Sequence, residues 1–336
     1  MNLLPRSRYT VVLKEDLLGH DFFHPQAQRC FCFLLHATLA GFGGWGALHF
    51  ASWAARAASS LLLGHSIGCL AFVGHEMLHG SILRNKTLIK LIGGICFCPW
   101  GLPPGAWARW HNQIHHNHTN DPFQDPDCWG KEINFRHSKI ARFIEGFSPG
   151  SGKPRSVLFL FVFFTFKVYF VLFLLPQFFP STSEKWISRG YFVSIQALCV
   201  SGASLAGWQG LLFLYFLPMA TANFLIMSYI ITNHSLNRLT EDENDCLANS
   251  LTVRSPSAVE WLHMNFNFHT EHHLFPSMSP RFAPRVRNMI LARWKDRYNE
   301  MAHWRALARI YATPRFYKDD STLINPRNGE IARTIN

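Results

Sequence analysis

Eighteen histidines in 336 residues set the chemistry open to this chain, and their spacing matters more than their number. His75 and His79 lie in "GHEMLHG", His111, His115 and His116 in "HNQIHH", and His269, His272 and His273 in "HTEHH". Residues three or four apart on a helix share a face, so each group presents imidazoles in a common direction. His234, in "TNHSLN", stands between the second and third groups. Nine imidazoles are too many for one zinc ion, which takes four ligands at most and commonly three in a catalytic site. They match two metal ions with four or five nitrogens each. Imidazole suits iron, zinc and copper alike, so ligand type alone does not choose the metal.

His75-Glu76-x-x-His79 also reads as a zinc-protease motif, with the glutamate as general base. An intramembrane zinc metalloprotease using HEMLH needs a third ligand from a downstream motif. Such proteases carry an Asp-Gly-containing motif, and the sequence has no Asp-Gly. The pair is therefore read as H-x3-H, with Glu76 available to orient a ligating ring. The other histidines, His20, His24, His36, His49, His65, His118, His137, His263 and His303, stand outside these groups and read as ordinary core or surface residues.

The elements that must position the nine are apolar. Hydrophobic residues make up 48% of the chain and charged ones 16%, with 30 Phe and 11 Trp. The charged share falls below the roughly 25% of an average soluble protein. Four stretches approach the roughly 20 apolar residues of a bilayer span: about 30–53, 57–79, 156–179 and 210–232. Residues 88–102 are too short to cross. Residues 191–207 are expected to be re-entrant, interfacial or part of a broken helix. Of the 32 Lys and Arg, 28 fall in residues 1–29, 81–155 and 233–336. That asymmetry places these segments in the cytoplasm and gives two hairpins with four crossings. Every histidine group then lies at or beyond one membrane face.

The net charge of +11 belongs to these flanks and fits contact with anionic lipid, not nucleic acid. The eight cysteines contain no C-x-x-C and read mostly as small buried residues. The first apolar run begins only after residue 28 and reads as a retained anchor, not a cleaved signal. Lys167 is the one charged residue deep in a span, which weighs against a transporter. The expected fold is an all-α integral membrane bundle with a cytoplasmic helical cap carrying the histidines. Its expected parts are an N-terminal segment 1–29, a membrane domain 30–285 and a basic C-terminal tail 286–336. Residues 281–310 are expected to form a basic amphipathic helix on the membrane surface or in solvent.

With these features, the sequence resembles the membrane fatty acid desaturase superfamily of acyl desaturases, hydroxylases, acetylenases and carotenoid ketolases. The resemblance rests on the three boxes and on the flanks "HHNHTNDPFQDPD" (115–127) and "NFHTEHHLFPSMSP" (267–280), and covers about 30–285. It implies a non-haem di-iron centre that uses O2 and two external electrons to break an unactivated C–H bond. The implied ligands are His75, His79, His111, His115, His116, His269, His272 and His273, with His234 matching an extra ligand before box three. Asn233, Asn267, Glu271, Asp125 and Asp127 stand near the boxes and are candidates to fix ligand tautomers. Box three opens on His269, where front-end desaturases often have Gln. No His-Pro-Gly-Gly haem motif is present. The implied electron donor is therefore separate: a ferredoxin, a cytochrome b5 or a reductase. The expected reaction is desaturation of a lipid acyl chain. Hydroxylation, ketolation or acetylenation of a lipid or carotenoid at the same site is the alternative. Bacterial inner membrane and endoplasmic reticulum are equally open as hosts.

Overall fold

The computed structural model describes residues 2–17, 21–175 and 179–335. Residues 176–178, in the expected span 156–179, and His20 lie outside the described residues. Among the described residues, four helices are long and apolar enough to cross a membrane: Ala27–His49, Trp53–Leu78, Pro154–Leu174 and Gly207–His234. The chain divides into two compact units.

The first unit comprises Pro25–Trp110 and Leu160–Met227 and holds most of the apolar helices. Cys30–His49 and Trp53–Leu78 are joined by only three residues, so they run antiparallel. Ser52 caps the second, accepting from the Ala55 N–H at 3.2 Å. Small residues let these helices approach closely. A Cβ on Gly43 would stand 2.7 Å from the Ser59 carbonyl, and one on Gly64 would stand 2.5 Å from the Pro218 carbonyl. Such contacts replace the hydrophobic drive that lipid cannot supply between helices.

Asn223 ties three elements within this unit. Its Oδ1 accepts from the Thr165 N–H at 2.9 Å and from Trp100 Nε1 at 3.4 Å, while its Nδ2 donates to the Met219 carbonyl at 2.7 Å. Lys167 is buried, with its Nζ 5.5 Å from the Trp110 ring centroid, a cation–π contact that offsets part of its desolvation. Lys86–Phe97 is a short helix with Leu88, Leu91 and Ile95 exposed and Gly93, Cys96 and Phe97 buried. Residues 191–204 form the larger part of one regular helix, Thr182–Ser204, capped by the Ser181 hydroxyl. Early polar residues, Glu184, Lys185 and Arg189, keep it outside the four apolar helices. Arg189 caps the preceding helix by donating to the carbonyls of Leu172 and Phe173 at 2.9 and 3.0 Å.

The second unit comprises the chain up to His24, His111–Phe159 and Ser228 onward. Residues 286–335 are a folded part of it. Ala283–Trp294 and His303–Ala312 are separate helices, so 281–310 does not run as one. The break holds a strand, Glu300–Ala302, paired in parallel with Thr252–Arg254. Phe316–Asp319, Thr322–Ile324 and Ile331–Arg333 form an antiparallel sheet. Arg6–Leu17 packs Tyr9, Leu13 and Leu17 into a core with Leu247, Leu274, Val286 and Ile290. Asp245, fully buried, fastens this helix by accepting from Tyr9 Oη at 2.9 Å and from Arg297 at 2.5 Å.

Candidate metal centre

Seven of the nine histidines belong to the second unit. His115, His234, His269 and His273 are all buried, and their ligand nitrogens lie within 4.8 Å of one another. His234 Nε2 is 2.8 Å and His273 Nε2 is 3.2 Å from His269 Nε2. Beside them, His116 Nε2 stands 3.2 Å from both His111 Nε2 and His272 Nε2. Neighbouring ligands on an ion with bonds of about 2.1 Å stand about 3 Å apart, which is the spacing seen.

The backbone explains how adjacent histidines serve different groups. Consecutive helical residues point about 100° apart, so His115 and His116 diverge, as do His272 and His273. Around Ala108–His115 the helix is wound in the wider π form, and the His116 N–H bonds to the His111 carbonyl at 3.1 Å. This winding pairs His111 with His116, five residues on, and not with His115, as the H-x3-H spacing alone suggests. Such π-turns are frequent at functional sites. Box three keeps ordinary spacing, so His269 meets His273 while His272 joins His111 and His116.

Hydrogen bonds at the outer nitrogens define which atom faces inward. His115 Nδ1 lies 3.0 and 3.1 Å from the two Asp125 oxygens. His234 Nδ1 donates to the Asn249 carbonyl at 3.0 Å. Thr119 Oγ1 donates to the His115 carbonyl at 2.7 Å and accepts from His273 Nδ1 at 3.2 Å. Each partner is an acceptor, so each Nδ1 carries the proton and three unprotonated Nε2 atoms converge. Converging lone pairs repel unless a cation or shared protons sit among them, so the donor set fits metal ions well. Burial first, then the neighbouring imidazoles, holds His273 well below the usual histidine pKa and keeps it neutral.

In the other unit, His75 and His79 sit one turn apart at the end of Trp53–Leu78, ring centroids 4.5 Å from each other, with Trp107 against both. His75 Nδ1 is 3.0 Å from Glu76 Oε1, and Ser81 Oγ donates to Glu76 Oε2 at 2.8 Å. Both oxygens of Glu76 are thus engaged, one by His75 and the other by Ser81, unlike the water-facing base of a zinc protease.

The other sequence candidates have different surroundings. Asp127 Oδ2 is 3.8 Å from His115 Nδ1, beyond hydrogen-bond range. Glu271 accepts from Tyr298 Oη at 2.5 Å and Thr252 Oγ1 at 2.8 Å, so it braces the box-three helix. Burial pushes its carboxyl up to about 7. Asn233 and Asn267 are fully buried, and their carbonyls accept from the Leu251 and Val253 N–H at 2.8 and 3.1 Å.

Sequence reasoning missed Thr119, Asn120 and Asn249. Asn120 takes φ +57°, a left-handed conformation that Asn tolerates, and its Nδ2 donates to the carbonyls of His234, Arg238 and Asn249. The flank "HHNHTND" held the only available signal for Thr119 and Asn120. Asn249 has none, because it reaches His234 through its backbone. Arg315, also missed, is buried and donates to the Ser235 carbonyl at 2.7 Å, just beyond His234. Burial lowers its pKa to about 9.

A sequence model of the family described as fatty acid desaturase matches residues 51–305, a stretch that contains all nine histidines. The chloroplastic omega-6 fatty acid desaturase of Brassica napus is 23% identical over 272 residues, 75% of this chain and 58% of that protein. The Delta(8)-fatty-acid desaturase 2 of Arabidopsis thaliana is 24% identical over 263 residues, 70% of this chain and 57% of that protein. The Delta 8-(E)-sphingolipid desaturase of Kluyveromyces lactis is 41% identical over 73 residues, 21% of this chain and 12% of that protein. The chain thus spans less than two thirds of the length of these curated relatives. Four apolar helices and this match make the protein an integral, multi-pass membrane protein. By a match over most of its length, the chain belongs to the fatty acid desaturase family.

Proposed function

We propose that the protein is an O2-dependent, non-haem di-iron desaturase that introduces a C=C bond into the unactivated alkyl chain of a fatty acyl lipid. The observation that carries this reading is the buried quartet His115, His234, His269 and His273, with three rings held so that unprotonated Nε2 atoms converge. That quartet would hold one ion. His111, His116 and His272 would serve the second, completed by His75 and His79 as the three-box pattern implies. When bound, the two irons supply the redox capacity to activate O2 and remove hydrogen from an aliphatic C–H bond, which redox-inert zinc lacks.

The chain's own contribution is orientation and exclusion of water. Asp125 and Glu76 accept the Nδ1 protons of His115 and His75, which fixes each ring and raises its basicity. Glu271, held by Tyr298 and Thr252, keeps the box-three helix in place. Asp127, Asn233 and Asn267 are assigned supporting roles beside Asp125, His234 and His269. Two electrons come from a separate donor, a ferredoxin, a cytochrome b5 or a reductase. The histidine-bearing face is assigned to the cytoplasm, because Lys and Arg concentrate in the segments that carry it.

The test is to express the chain in a host membrane with an electron donor and read acyl composition by gas chromatography and mass spectrometry. New double bonds should appear with the wild type. They should vanish with His272→Ala while membrane insertion is retained. An unchanged acyl profile with iron-loaded wild type and a competent donor would overturn the reading.

A further inference from the structure

Beside the quartet lies a line of rings that the proposed chemistry leaves unused. Tyr229 is 1% exposed, five residues before His234. Its Oη is 2.8 Å from His263 Nδ1, and His263 is itself buried. Phe266 stands edge-on to Tyr229 at 5.9 Å between centroids and 5.3 Å from the ring of His269, a member of the quartet. On another side, His303 lies 4.3 Å from Tyr229 with its Nε2 donating to the Ser228 carbonyl at 3.0 Å. His303 is half-buried and is followed by the exposed Trp304. All these residues belong to one unit. The rings run in sequence from a metal-group histidine to the protein surface.

A tyrosine hydroxyl is a far better one-electron donor when a base accepts its proton at the same moment. With the imidazole proton of His263 on Nε2, its Nδ1 is such a base, already in contact. We propose that Tyr229 is a redox relay that discharges the oxidised di-iron centre when no lipid C–H bond is in place. The inference rests on the di-iron reading above. Tyr229 gives one electron, by way of the Phe266 and His269 rings, to the oxidised centre. Its hydroxyl proton passes to His263 Nδ1, leaving a neutral phenoxyl radical and an imidazolium. One electron from the external donor, arriving past His303, reduces the radical, and the proton returns from His263; a second passage supplies the second electron that full discharge needs, and two protons from solvent carry the remaining oxygen off as water. The relay spares the metal histidines from oxidation during unproductive turnover.

The experiment uses iron-loaded full-length protein in detergent, reduced and then exposed to O2 without lipid. Freeze-quenched electron paramagnetic resonance should show a tyrosyl radical. Its hyperfine pattern should collapse in protein grown on ring-deuterated tyrosine, a readout that needs no mutation. Tyr229→Phe should abolish that radical while iron content holds. Mass spectrometry should then find oxidation of His269 raised several-fold. His263→Gln, which removes the base but keeps a hydrogen-bonding side chain, should lower the radical yield. Full iron and O2 consumption with no tyrosyl radical would overturn the relay alone. An undiminished signal in Tyr229→Phe would do the same. Protein that binds no iron or consumes no O2 would overturn the di-iron reading and the relay with it.

Discussion

Replacing Asp125 with asparagine should weaken one metal site and leave the other intact. The carboxylate accepts from His115 Nδ1 at 3.0 and 3.1 Å, from the Asn120 N–H at 2.9 Å on Oδ2, and from the Asp127 N–H at 2.9 Å on Oδ1. Both oxygens therefore receive a backbone donor as well as sharing the imidazole. An amide must turn its NH2 toward one of those donors, so a hydrogen bond is lost whichever way it faces. Losing a bond to a charged acceptor costs about 1.5–3 kcal/mol. Removing an outer partner of a ligating histidine typically lowers metal affinity by about 10–100-fold, or about 1.4–2.7 kcal/mol. The two ranges overlap, so an effect of about 2 kcal/mol is expected on the quartet's ion. Chelator competition on purified, iron-loaded Asp125→Asn should release about half of the metal early and the rest at the wild-type rate. Asp127→Asn should act more weakly, since its carboxylate stands 3.8 Å from the ring. Wild-type retention in Asp125→Asn would refute the claim that this carboxylate orients His115.

Four further outcomes follow from particular contacts. Asn120→Ala should lower the melting temperature in detergent, because it combines a left-handed backbone cost of about 1–2 kcal/mol with the loss of hydrogen bonds worth about 1–3 kcal/mol; a wild-type melting temperature contradicts this. Gly64→Ala should destabilise by about 1–3 kcal/mol through overpacking against Pro218 and Thr221, while Gly41→Ala, with open space around it, should be neutral. Arg315→Met should loosen the turn after His234, speeding iron loss and hydrogen exchange at Ser235–Asn237 relative to the wild type. Burial lowers the His303 pKa below 6.5, so the unfolded chain binds the proton more readily and stability falls as pH drops below about 6.5. His303→Gln should flatten that part of the stability profile, and an unchanged slope would exclude His303 as a source.

The histidine groups and four apolar helices were legible in the sequence because both rest on short-range spacing. Two histidines a turn apart, or twenty apolar residues in a row, signal themselves without tertiary context. Which of the neighbours His115 and His116 shares a group with His111 was not legible, because it depends on a π-wound turn that residue spacing does not encode. Nor was the role of Asn249, which acts through its carbonyl, since any residue type carries one. Residues 286–336 read as a basic tail because their charges dominate composition. Their buried residues, Val286, Ile290, Ala306, Ile310, Tyr317 and Leu323, are spread among several short elements. Tyr298 and Arg315 reach back to Glu271 and Ser235 from this segment, a link visible only once the chain is folded.

The central claim is that nine histidines hold two irons, and metal counting tests it most directly. Detergent-purified protein, made with iron supplementation, should carry about two metal ions per chain, with His115→Ala and His272→Ala each impairing the centre. A single ion that depends on His75 and His79 but ignores His272→Ala would contradict the account.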